Sequence, residues 1–281
     1  MLIDLHAHTT ASDGTDTPAQ LMAAAAERGL DVVAITDHDS TAGWAEATRE
    51  ATAHGVRLVR GIELSCTAGG ISLHVLGYLH DPTYAPLLQE IDKARSSRVD
   101  RARRITENLA ADVPISYDEV LAQVTGSATV GRPHIADALV AGGVVADRDE
   151  AFARFLYDGS PYGAKHYAPS AVAGVRLIIA AGGVPVMAHP FAAKRGRIVA
   201  NEVIEEMAAA GLVGLEAHHP DHTPEQEAHT LDLARALGLL VTGSSDYHGT
   251  GKSNRLADRT TPRDVYEALL GRPTATAVVQ E

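Results

Sequence analysis

The sequence has a single cysteine, few aromatic residues and a shortage of basic side chains. Cys66 alone cannot form an internal disulfide, and thiolate zinc sites need several cysteines, so we expect a protein of a reducing cytoplasm. Aromatic residues make up only 4% of the chain, which disfavours an extended surface for stacking bases. The formal net charge of −12 is the opposite of that of a general nucleic-acid coat or an anionic-membrane binder. A phosphate-bearing ligand would therefore need a local cationic pocket or bound metal ions.

Long apolar runs are missing as well. The most apolar stretch, residues 175–188, is shorter than the roughly 20 residues that span a membrane. Asp4 and His6 interrupt the apolar start of the chain, where the core of a secretory signal would lie. We therefore expect a soluble, cytoplasmic protein.

The chain does contain an alternation of short apolar runs and alanine-rich helical stretches. Near-continuous runs of Val, Ile and Leu predict strands that are buried on both faces, as in a parallel sheet. The seven runs are residues 2–5, 32–35, 57–59, 73–76, 184–187, 212–215 and 239–241. Helices are predicted between them, for example at 198–210 and at 18–28, where Thr17 is the N-cap and Pro18 the first residue. This alternation predicts the α/β class with parallel strands.

Residues 99–168 depart from this pattern. They contain amphipathic helical stretches at 101–110, 117–123 and 135–141, without a convincing buried strand between them. We interpret them as a small helical insertion that caps the substrate, which assigns 1–98 and 169–281 to one barrel domain. The remaining length suits seven βα units of about 30 residues each. We therefore favour a distorted (β/α)7 barrel over an open doubly wound sheet, and no dinucleotide fingerprint or P-loop is present.

Histidines and carboxylates concentrate where the apolar runs end. His6 and His8 share one face because side chains alternate along a strand. In a β/α barrel the carboxyl ends of all strands open onto one face, so residues that are distant in sequence become neighbours. The other candidates at or near the ends of runs are Asp13, His38, Asp39, Glu63, His74, His189, Glu216, His218, His219, Asp246 and His248.

Taken singly, these residues have ordinary structural explanations. A lone histidine such as His74 or His189 is more often a hydrogen-bonded structural residue, and Asp13 would cap a turn or helix. Glu63 is more demanding, because a carboxylate in an apolar strand needs a cation or several hydrogen-bond donors. The coincidence of such residues at nearly every strand end predicts a metal centre.

The residue types also narrow the metal and the chemistry. Imidazole with carboxylate and without thiolate suits Mn²⁺, Fe²⁺ or Zn²⁺. The candidates exceed one tetrahedral site, which predicts two or three divalent ions that would attract an anionic substrate despite the negative net charge. Such ions activate water and neutralise phosphoryl oxygens, so we expect hydrolysis of a phosphate ester.

The order of these motifs resembles the PHP family, named for its polymerase and histidinol phosphatase members. The motifs are His6-Ala7-His8, Thr36-Asp37-His38, Glu63, His74, His189 and Asp246-Tyr247-His248. The resemblance covers essentially the whole chain. It is nearest to stand-alone phosphoesterases that carry a helical insertion, which include nucleoside 3′,5′-bisphosphate phosphatases and 5′→3′ exoribonucleases. It implies a distorted (β/α)7 barrel.

The resemblance also implies roles for particular residues. One metal position would be held by His6, His8, Glu63 and Asp246, a second by Glu63 as a bridge with His74 and His189, and a third by Asp13, His38 and His248. The stretch Gly131–Ala136 resembles a family motif in which Arg132 and His134 reach the substrate phosphate, a role that suits the forked guanidinium. Without the resemblance, both would be interpreted as surface or capping residues. His219 and His222 are further candidates for substrate contact, and His218 is an equal alternative.

Several other features carry weaker signals. The basic run Lys93, Arg95, Arg98, Arg101, Arg103 and Arg104 could track an oligonucleotide backbone, but a solvated helix face is favoured. One base could stack on Trp44, Tyr157, Tyr162 or Tyr167. Cys66 is expected in the core, and His54, His80 and His229 are expected at the surface.

The leading hypothesis is a metal-dependent phosphoesterase that removes a phosphate from a small nucleotide of the 3′,5′-bisphosphonucleoside type, or trims short 5′-phosphorylated RNA. The enzymatic alternatives act on histidinol phosphate or on cyclic phosphates. A non-catalytic metal-binding module that binds a partner protein is the alternative from another class. The expected partner is a small phosphorylated substrate, without a membrane or an extended nucleic-acid surface.

Overall fold

The computed structural model describes residues 1–124 and 128–280, which contain a seven-stranded sheet whose spatial order follows the chain. The strands are β1 (Ile3–Asp4), β2 (Val32–Ile35), β3 (Arg57–Ala68), β4 (Ile71–Tyr78), β5 (Val184–Met187), β6 (Gly214–His218) and β7 (Leu240–Gly243). The helices are α1 (Pro18–Arg28), α2 (Trp44–His54), α3 (Ala85–Leu109), α4 (Tyr117–Leu121), α5 (Arg132–Ala141), α6 (Arg148–Ala151), α7 (Ala171–Ala180), α8 (Asn201–Ala209), α9 (Pro224–Leu237) and α10 (Arg263–Leu270). Each of the seven predicted apolar runs overlaps one strand.

One strand of the sheet runs against the others. Strand β4 is antiparallel to both β3 and β5, whereas the other neighbouring strands are parallel. The expectation of a wholly parallel sheet was therefore wrong for β4. Gly69 and Gly70 connect β3 to β4 with φ of 56° and 76°, a left-handed conformation that favours glycine. So short a connection can join only antiparallel strands. The prediction of a distorted seven-stranded β/α barrel is confirmed.

The barrel closes between its first and last strands through a short seam. Ala7 and Tyr247 form an isolated parallel bridge, in which the backbone N–H of His8 donates to the carbonyl of Tyr247 at 2.8 Å. Both partners lie inside the predicted metal-ligand motifs. The seam therefore brings the first and the last of the predicted ligand motifs together at the predicted site.

The barrel interior and the helices outside it pack through apolar side chains. Inside, Ile3, Val186 and Leu76 belong to one buried cluster that also contacts α10. Cys66 is fully buried in the layer between the sheet and the outer helices, as predicted. Helix α1 begins as predicted, since the Thr17 side chain accepts the backbone N–H of Gln20.

The segment between β4 and α7 is helical and has a core of its own. The predicted helical stretches at 101–110, 117–123 and 135–141 overlap α3, α4 and α5. Ile105, Leu109, Ile135, Leu139 and Phe155 are buried together there. Helix α3 begins at Ala85, so the predicted boundary at residues 98 and 99 falls within a helix. The division of the chain into barrel and insertion remains a prediction.

His80 was expected at the surface, and that expectation was wrong. Its side chain is buried, and its ring nitrogen Nδ1 donates to the carbonyl of Gly77 at 3.2 Å. The Trp44 ring packs against it, with the centroids 4.9 Å apart. Burial lowers the pKa of His80 to about 4. Trp44 is itself buried and its indole N–H donates to the carbonyl of Gly61, so the prediction that it could stack on a base was also wrong.

The buried neutral imidazole gives a testable pH dependence. Below the unfolded-state pKa of 6.5, the unfolded chain binds a proton at His80 that the folded chain does not bind until about pH 4. We therefore expect the free energy of unfolding to fall between these pH values, with His80 contributing roughly 2 kcal/mol of the fall. In His80→Gln this part of the fall is absent when urea unfolding is measured in EDTA. The exposed His54→Gln variant is the control, and equal pH slopes in the two variants would contradict the prediction.

No helix in residues 1–124 and 128–280 is both long and apolar enough to cross a membrane.

Candidate metal centre

The carboxylate of Glu63 lies at the centre of the predicted site. It is buried near the middle of β3. Imidazole nitrogens approach its two oxygens at 2.7 to 3.1 Å, and they belong to His6, His8, His38, His74 and His189. Residues from β4, from the ends of other strands and from the loops that follow them thus meet at one acidic group.

His74 reaches the cluster because β4 is reversed. It lies in the first half of β4, which would be the far end of the barrel if this strand were parallel to its neighbours. In the antiparallel register His74 pairs with Ser65, two residues beyond Glu63. The Nδ1 atom of His74 is consequently 2.7 Å from Oε1 of Glu63.

Asp13 forms a second acidic pole beside Glu63. Its carboxylate oxygens lie 3.4 Å from Nε2 of His248, 3.7 Å from Nδ1 of His8 and 3.8 Å from Nε2 of His38. The rings of His8 and His248 stand 4.1 Å apart between their centroids. The loop after β1 therefore adds a carboxylate to the same histidine cluster.

Asp246 uses its two oxygens differently. Oδ1 faces the cluster, 3.4 Å from Nε2 of His6 and 3.3 Å from Nε2 of His8. Oδ2 accepts from Nζ of Lys252 at 2.8 Å and from the guanidinium of Arg195. Asp246 has a φ of 52°, in the left-handed region that few residues other than glycine, asparagine and aspartate adopt.

The cluster satisfies a physical test for bound divalent ions. Eight of the predicted ligands supply atoms that fall into three overlapping groups, each within 4.8 Å: His8, Asp13, His38 and His248; His6, His8, Glu63 and Asp246; His38, Glu63 and His74. In the described part of the chain, Nδ1 of His38, Oε2 of Glu63, Nδ1 of His74 and Oδ1 of Asp246 are buried, and their close contacts within the cluster do not have hydrogen-bond geometry. Such atoms are costly unless a cation takes their lone pairs. The residues fit divalent ions that accept nitrogen and oxygen ligands.

His189, the ninth predicted ligand, lies at the edge of these groups. Its Nε2 atom is 3.1 Å from Oε1 of Glu63, but it is also 2.9 Å from Nη1 of Arg195. Its backbone φ of 31° is another left-handed conformation at the site. The structure brings His189 to the cluster together with a cation that the sequence analysis did not single out.

The electrostatics of the cluster keep Glu63 ionised. Burial alone would raise the pKa of its carboxyl group, but His38 and His74 hold that pKa well below its usual range. Burial would lower the pKa of His6, yet the carboxylates of Glu216 and Glu63 raise it well above its usual value. An ionised carboxylate among imidazoles is the form that a metal ligand requires.

Glu216 holds two of the predicted metal ligands in place through hydrogen bonds. It is buried in β6, where Oε1 accepts from Nδ1 of His6 at 3.0 Å and Oε2 accepts the backbone N–H of His189 at 2.9 Å. The hydroxyl of Ser244 also donates to Oε1. These bonds orient His6 so that its Nε2 faces Glu63. Glu216 directly follows the sixth apolar run, and this supporting role was not predicted from the sequence, although an acidic residue within a buried strand was the available signal.

Two buried aspartates hold the loops that carry the ligands. Asp37 accepts the backbone N–H of Thr9 at 2.7 Å. Asp4 accepts the backbone N–H groups of Ser245 at 3.0 Å and Ala257 at 2.9 Å. Burial raises the pKa of Asp4 to about 6 although these hydrogen bonds oppose the rise. These aspartates tie the loops that follow β1 and β7 to neighbouring strand ends.

Among the three neighbouring histidines that were candidates for substrate contact, only His219 faces the cluster. Its Nδ1 accepts the backbone N–H of Asp221 at 3.0 Å, so the proton of the neutral ring lies on Nε2. That Nε2 atom is buried, 3.5 Å from Oδ2 of Asp246. His218 instead pairs with Glu227, and His222 donates to a backbone carbonyl.

The first turn of α5 carries a similarly oriented histidine and an arginine. Nδ1 of His134 accepts the backbone N–H of Gly131 at 3.1 Å, so a neutral ring carries its proton on Nε2. Arg132 is half-buried, donates to the carbonyl of Leu156 at 3.1 Å and lies 5.5 Å above the Phe152 ring. Both predicted residues are thus held by backbone contacts that leave donor groups unused.

Three arginines of the basic run on α3 are also half-buried, and the first of them, Arg95, donates from Nε to the Thr129 hydroxyl at 2.7 Å. Nη2 of Arg98 lies 2.7 Å from Oδ2 of Asp39, and this guanidinium also donates to Ser65 beside the metal cluster. Nε of Arg101 donates to the carbonyl of Ala164 at 3.1 Å. The prediction of a solvated face was therefore wrong for these three. It was right for the exposed Lys93, Arg103 and Arg104.

His166 lies beside these arginines. The residues on either side of His166 are hydrogen-bonded to α3. Arg104 donates to the carbonyl of Lys165, and Ser97 accepts the backbone N–H of Tyr167. Burial and the nearby guanidinium groups lower the pKa of His166 to about 3. In the described residues, neither Arg101 nor Arg132 has a carboxylate within 4.0 Å. Asp158 interacts electrostatically with both arginines from beyond that distance, so no close ion pair occupies either guanidinium.

This combination of a seven-stranded barrel and a buried histidine–carboxylate cluster defines a metal-dependent hydrolase. The family model described as the PHP domain matches residues 4–150, and the chain belongs to this family. It is 33% identical over 255 residues to a 3′,5′-nucleoside bisphosphate phosphatase of Chromobacterium violaceum, covering 90% of this chain and 89% of that protein. It is 32% identical over 246 residues to a 5′-3′ exoribonuclease of Haemophilus influenzae, covering 87% and 89%.

A solved structure shows the same relationship. A Bifidobacterium adolescentis protein assigned as a metal-dependent phosphoesterase superposes with a TM-score of 0.93 at 41% identity, over 96% of both chains. The protein is accordingly an enzyme that hydrolyses phosphate esters and depends on divalent metal ions.

Proposed function

We propose that this enzyme hydrolyses a phosphate monoester of a small nucleotide of the 3′,5′-bisphosphonucleoside type, and that it also trims short 5′-phosphorylated RNA. The proposal rests on two adjoining groups of residues that would bind anions. One is the metal cluster around Glu63, and the other is the group of Arg101, Arg132 and His166, whose two arginines form no ion pair within 4.0 Å in the described residues. A substrate with two phosphates would occupy both. The activities named for the two relatives support this choice.

Two or three divalent ions, Mn²⁺, Fe²⁺ or Zn²⁺, would be held by the nine predicted ligands, with Glu63 as the bridging carboxylate. When bound, such ions lower the pKa of water and neutralise phosphoryl oxygens. The residues that would bind them are His6, His8, Asp13, His38, Glu63, His74, His189, Asp246 and His248. The buried unpartnered atoms of Glu63 and Asp246 support this assignment.

The remaining chemistry is assigned to groups that donate hydrogen bonds. Arg132 and His134 would bind the substrate phosphate, because both present donors that their backbone contacts leave unused. His219 would donate from Nε2 to a phosphoryl or leaving-group oxygen, since Asp221 holds the opposite nitrogen as an acceptor. Arg101, Arg132 and His134 all lie between residues 99 and 168, which supports the proposal that the insertion caps the substrate.

A substrate comparison tests the proposal. With Mn²⁺ present, kcat/KM is measured for a nucleoside 3′,5′-bisphosphate, the matching 3′- and 5′-monophosphates, short 5′-phosphorylated RNA, histidinol phosphate and a cyclic phosphate. We expect the bisphosphate to exceed either monophosphate by about 100-fold, the worth of one or two charge-assisted hydrogen bonds. A higher kcat/KM for histidinol phosphate or for the cyclic phosphate would overturn the proposal.

The variant Arg132→Ala tests how the enzyme recognises the second phosphate of a bisphosphate substrate. We expect this variant to lose most of the preference for the bisphosphate through a higher KM, while its metal content stays unchanged. Arg154→Ala is the matched control, since Arg154 is exposed on the same insertion and pairs with Glu150. An unchanged KM in Arg132→Ala would remove Arg132 from substrate recognition.

A further inference from the structure

The guanidinium of Arg195 lies against the imidazoles and carboxylates of the metal cluster. It ends the 3₁₀ turn Ala193–Arg195, which follows β5 and His189. Its Nε donates to Asp221 at 2.8 Å, and its Nη2 donates to Oδ2 of Asp246. Two carboxylates therefore fix the plane of the guanidinium, and its remaining nitrogen Nη1 lies 2.9 Å from Nε2 of His189. The guanidinium points into the site and not into solvent.

The contact between Arg195 and His189 conflicts with the proposed role of His189. A neutral imidazole has one nitrogen lone pair to give. His189 cannot give the Nε2 lone pair to a metal ion and to Nη1 of Arg195 at the same time. With His189 acting as a ligand, the Nη1 group loses its acceptor while the Asp221 and Asp246 contacts still hold the guanidinium in place. A donor then remains unsatisfied next to the metal ligands, which is costly in a partly buried position.

A phosphoryl oxygen of the substrate is the acceptor that this position can receive. It is anionic, it must sit beside the metal ligands in order to react, and it gains negative charge as the ester bond breaks. Lys252 also donates to Oδ2 of Asp246, at 2.8 Å, so charge compensation of this carboxylate does not depend on Arg195 alone. The positive charge of Arg195 is thus available to a ligand.

We propose that Arg195 donates through Nη1 to a non-bridging oxygen of the phosphoryl group that is hydrolysed, which makes it a further catalytic residue. This inference rests on the proposed metal-ligand role of His189 and does not depend on which nucleotide is the substrate. No bond is made or broken at the guanidinium, which acts only through hydrogen bonding and charge. A lysine would keep the charge but would lack the fork that reaches Asp221, Asp246 and the phosphoryl oxygen together.

The test compares Arg195→Ala and Arg195→Lys with Lys194→Ala, which removes a mostly exposed positive charge from the same turn. The measurements are the Mn²⁺ content by elemental analysis, kcat with p-nitrophenyl phosphate, and the inhibition constant of inorganic phosphate. For Arg195→Ala we expect unchanged Mn²⁺ content, a kcat about 100-fold lower and phosphate inhibition about 10-fold weaker. Arg195→Lys should fall between Arg195→Ala and the wild type, and Lys194→Ala should match the wild type.

Two results would overturn the inference. In the first, phosphate inhibition of both Arg195 variants equals that of the wild type. In the second, Arg195→Ala loses Mn²⁺ to the same extent as His189→Ala, which would limit Arg195 to positioning Asp246. Should Arg195→Ala fail to fold, the phosphate inhibition of Arg195→Lys decides the matter. A wild type that prefers histidinol phosphate would refute the proposed substrate and leave the Arg195 measurements interpretable, because they use a simple monoester and inorganic phosphate.

Discussion

Replacing Glu63 with glutamine is expected to remove bound metal and to lower kcat by more than about 1,000-fold, because a neutral amide cannot replace a carboxylate shared between divalent ions. Five imidazoles converge on this carboxylate, and the close contacts of its buried Oε2 do not have hydrogen-bond geometry. Elemental analysis after reconstitution with Mn²⁺ should show fewer ions per chain than in the wild type. The kcat of the same preparation gives the catalytic loss.

Glu205→Gln is the control for this experiment. Glu205 is exposed on α8, so the same chemical change should leave both the metal content and kcat unaltered. If Glu63→Gln retained the wild-type Mn²⁺ content and turnover, Glu63 would not bridge the ions. A loss of turnover with full metal content would instead give Glu63 a direct role in the reaction.

Glu216→Gln is expected to weaken metal affinity by about 10- to 100-fold without removing any ligand atom. The carboxylate of Glu216 accepts from Nδ1 of His6 and from the backbone N–H of His189, so it orients two proposed ligands at once. An amide would keep the shape but would weaken the charge-assisted bond to His6. Titration of the metal-free protein with Mn²⁺ measures the change in the dissociation constant.

Glu227→Gln provides a matched comparison. Glu227 also forms a close contact with a histidine Nδ1, that of His218 at 2.6 Å, but this pair lies outside the groups of potential metal ligands. The same substitution there should leave Mn²⁺ affinity unchanged. Equal affinities in the two variants would mean that Glu216 supports the fold and not the metal site.

The sequence was sufficient to predict the barrel and the residues that gather at its open end. Short apolar runs mark strands because both faces of each strand are buried, and each run overlaps a strand of the structure. His6 and His8 were expected on one face, and their Nε2 atoms lie 3.0 Å apart. This success follows from local rules, since the period of a strand and the common direction of parallel strand ends need no knowledge of tertiary contacts.

Features that depend on contacts between distant segments could not be predicted in the same way. The reversal of β4 depends on the geometry of one glycine turn, and a sequence of apolar residues does not reveal strand direction. Arg98 and Arg101 lie in a run of charges that is typical of solvated helices, and only the packing of α3 against the barrel and the 164–167 segment buries them. Arg195 was missed because its partners Asp221 and Asp246 follow it by many residues.

The seam between Ala7 and Tyr247 has a consequence for how the enzyme matures. This contact joins residues that are 240 positions apart, so the barrel cannot close until the chain has been synthesised past Tyr247. The proposed ligands His6 and His8 stand on one side of the seam, and Asp246 and His248 stand on the other. Closure of the barrel and acquisition of metal are therefore linked equilibria, in which ions that bind only the closed form favour closure. Metal supply would thus govern the yield of the folded enzyme as well as its turnover.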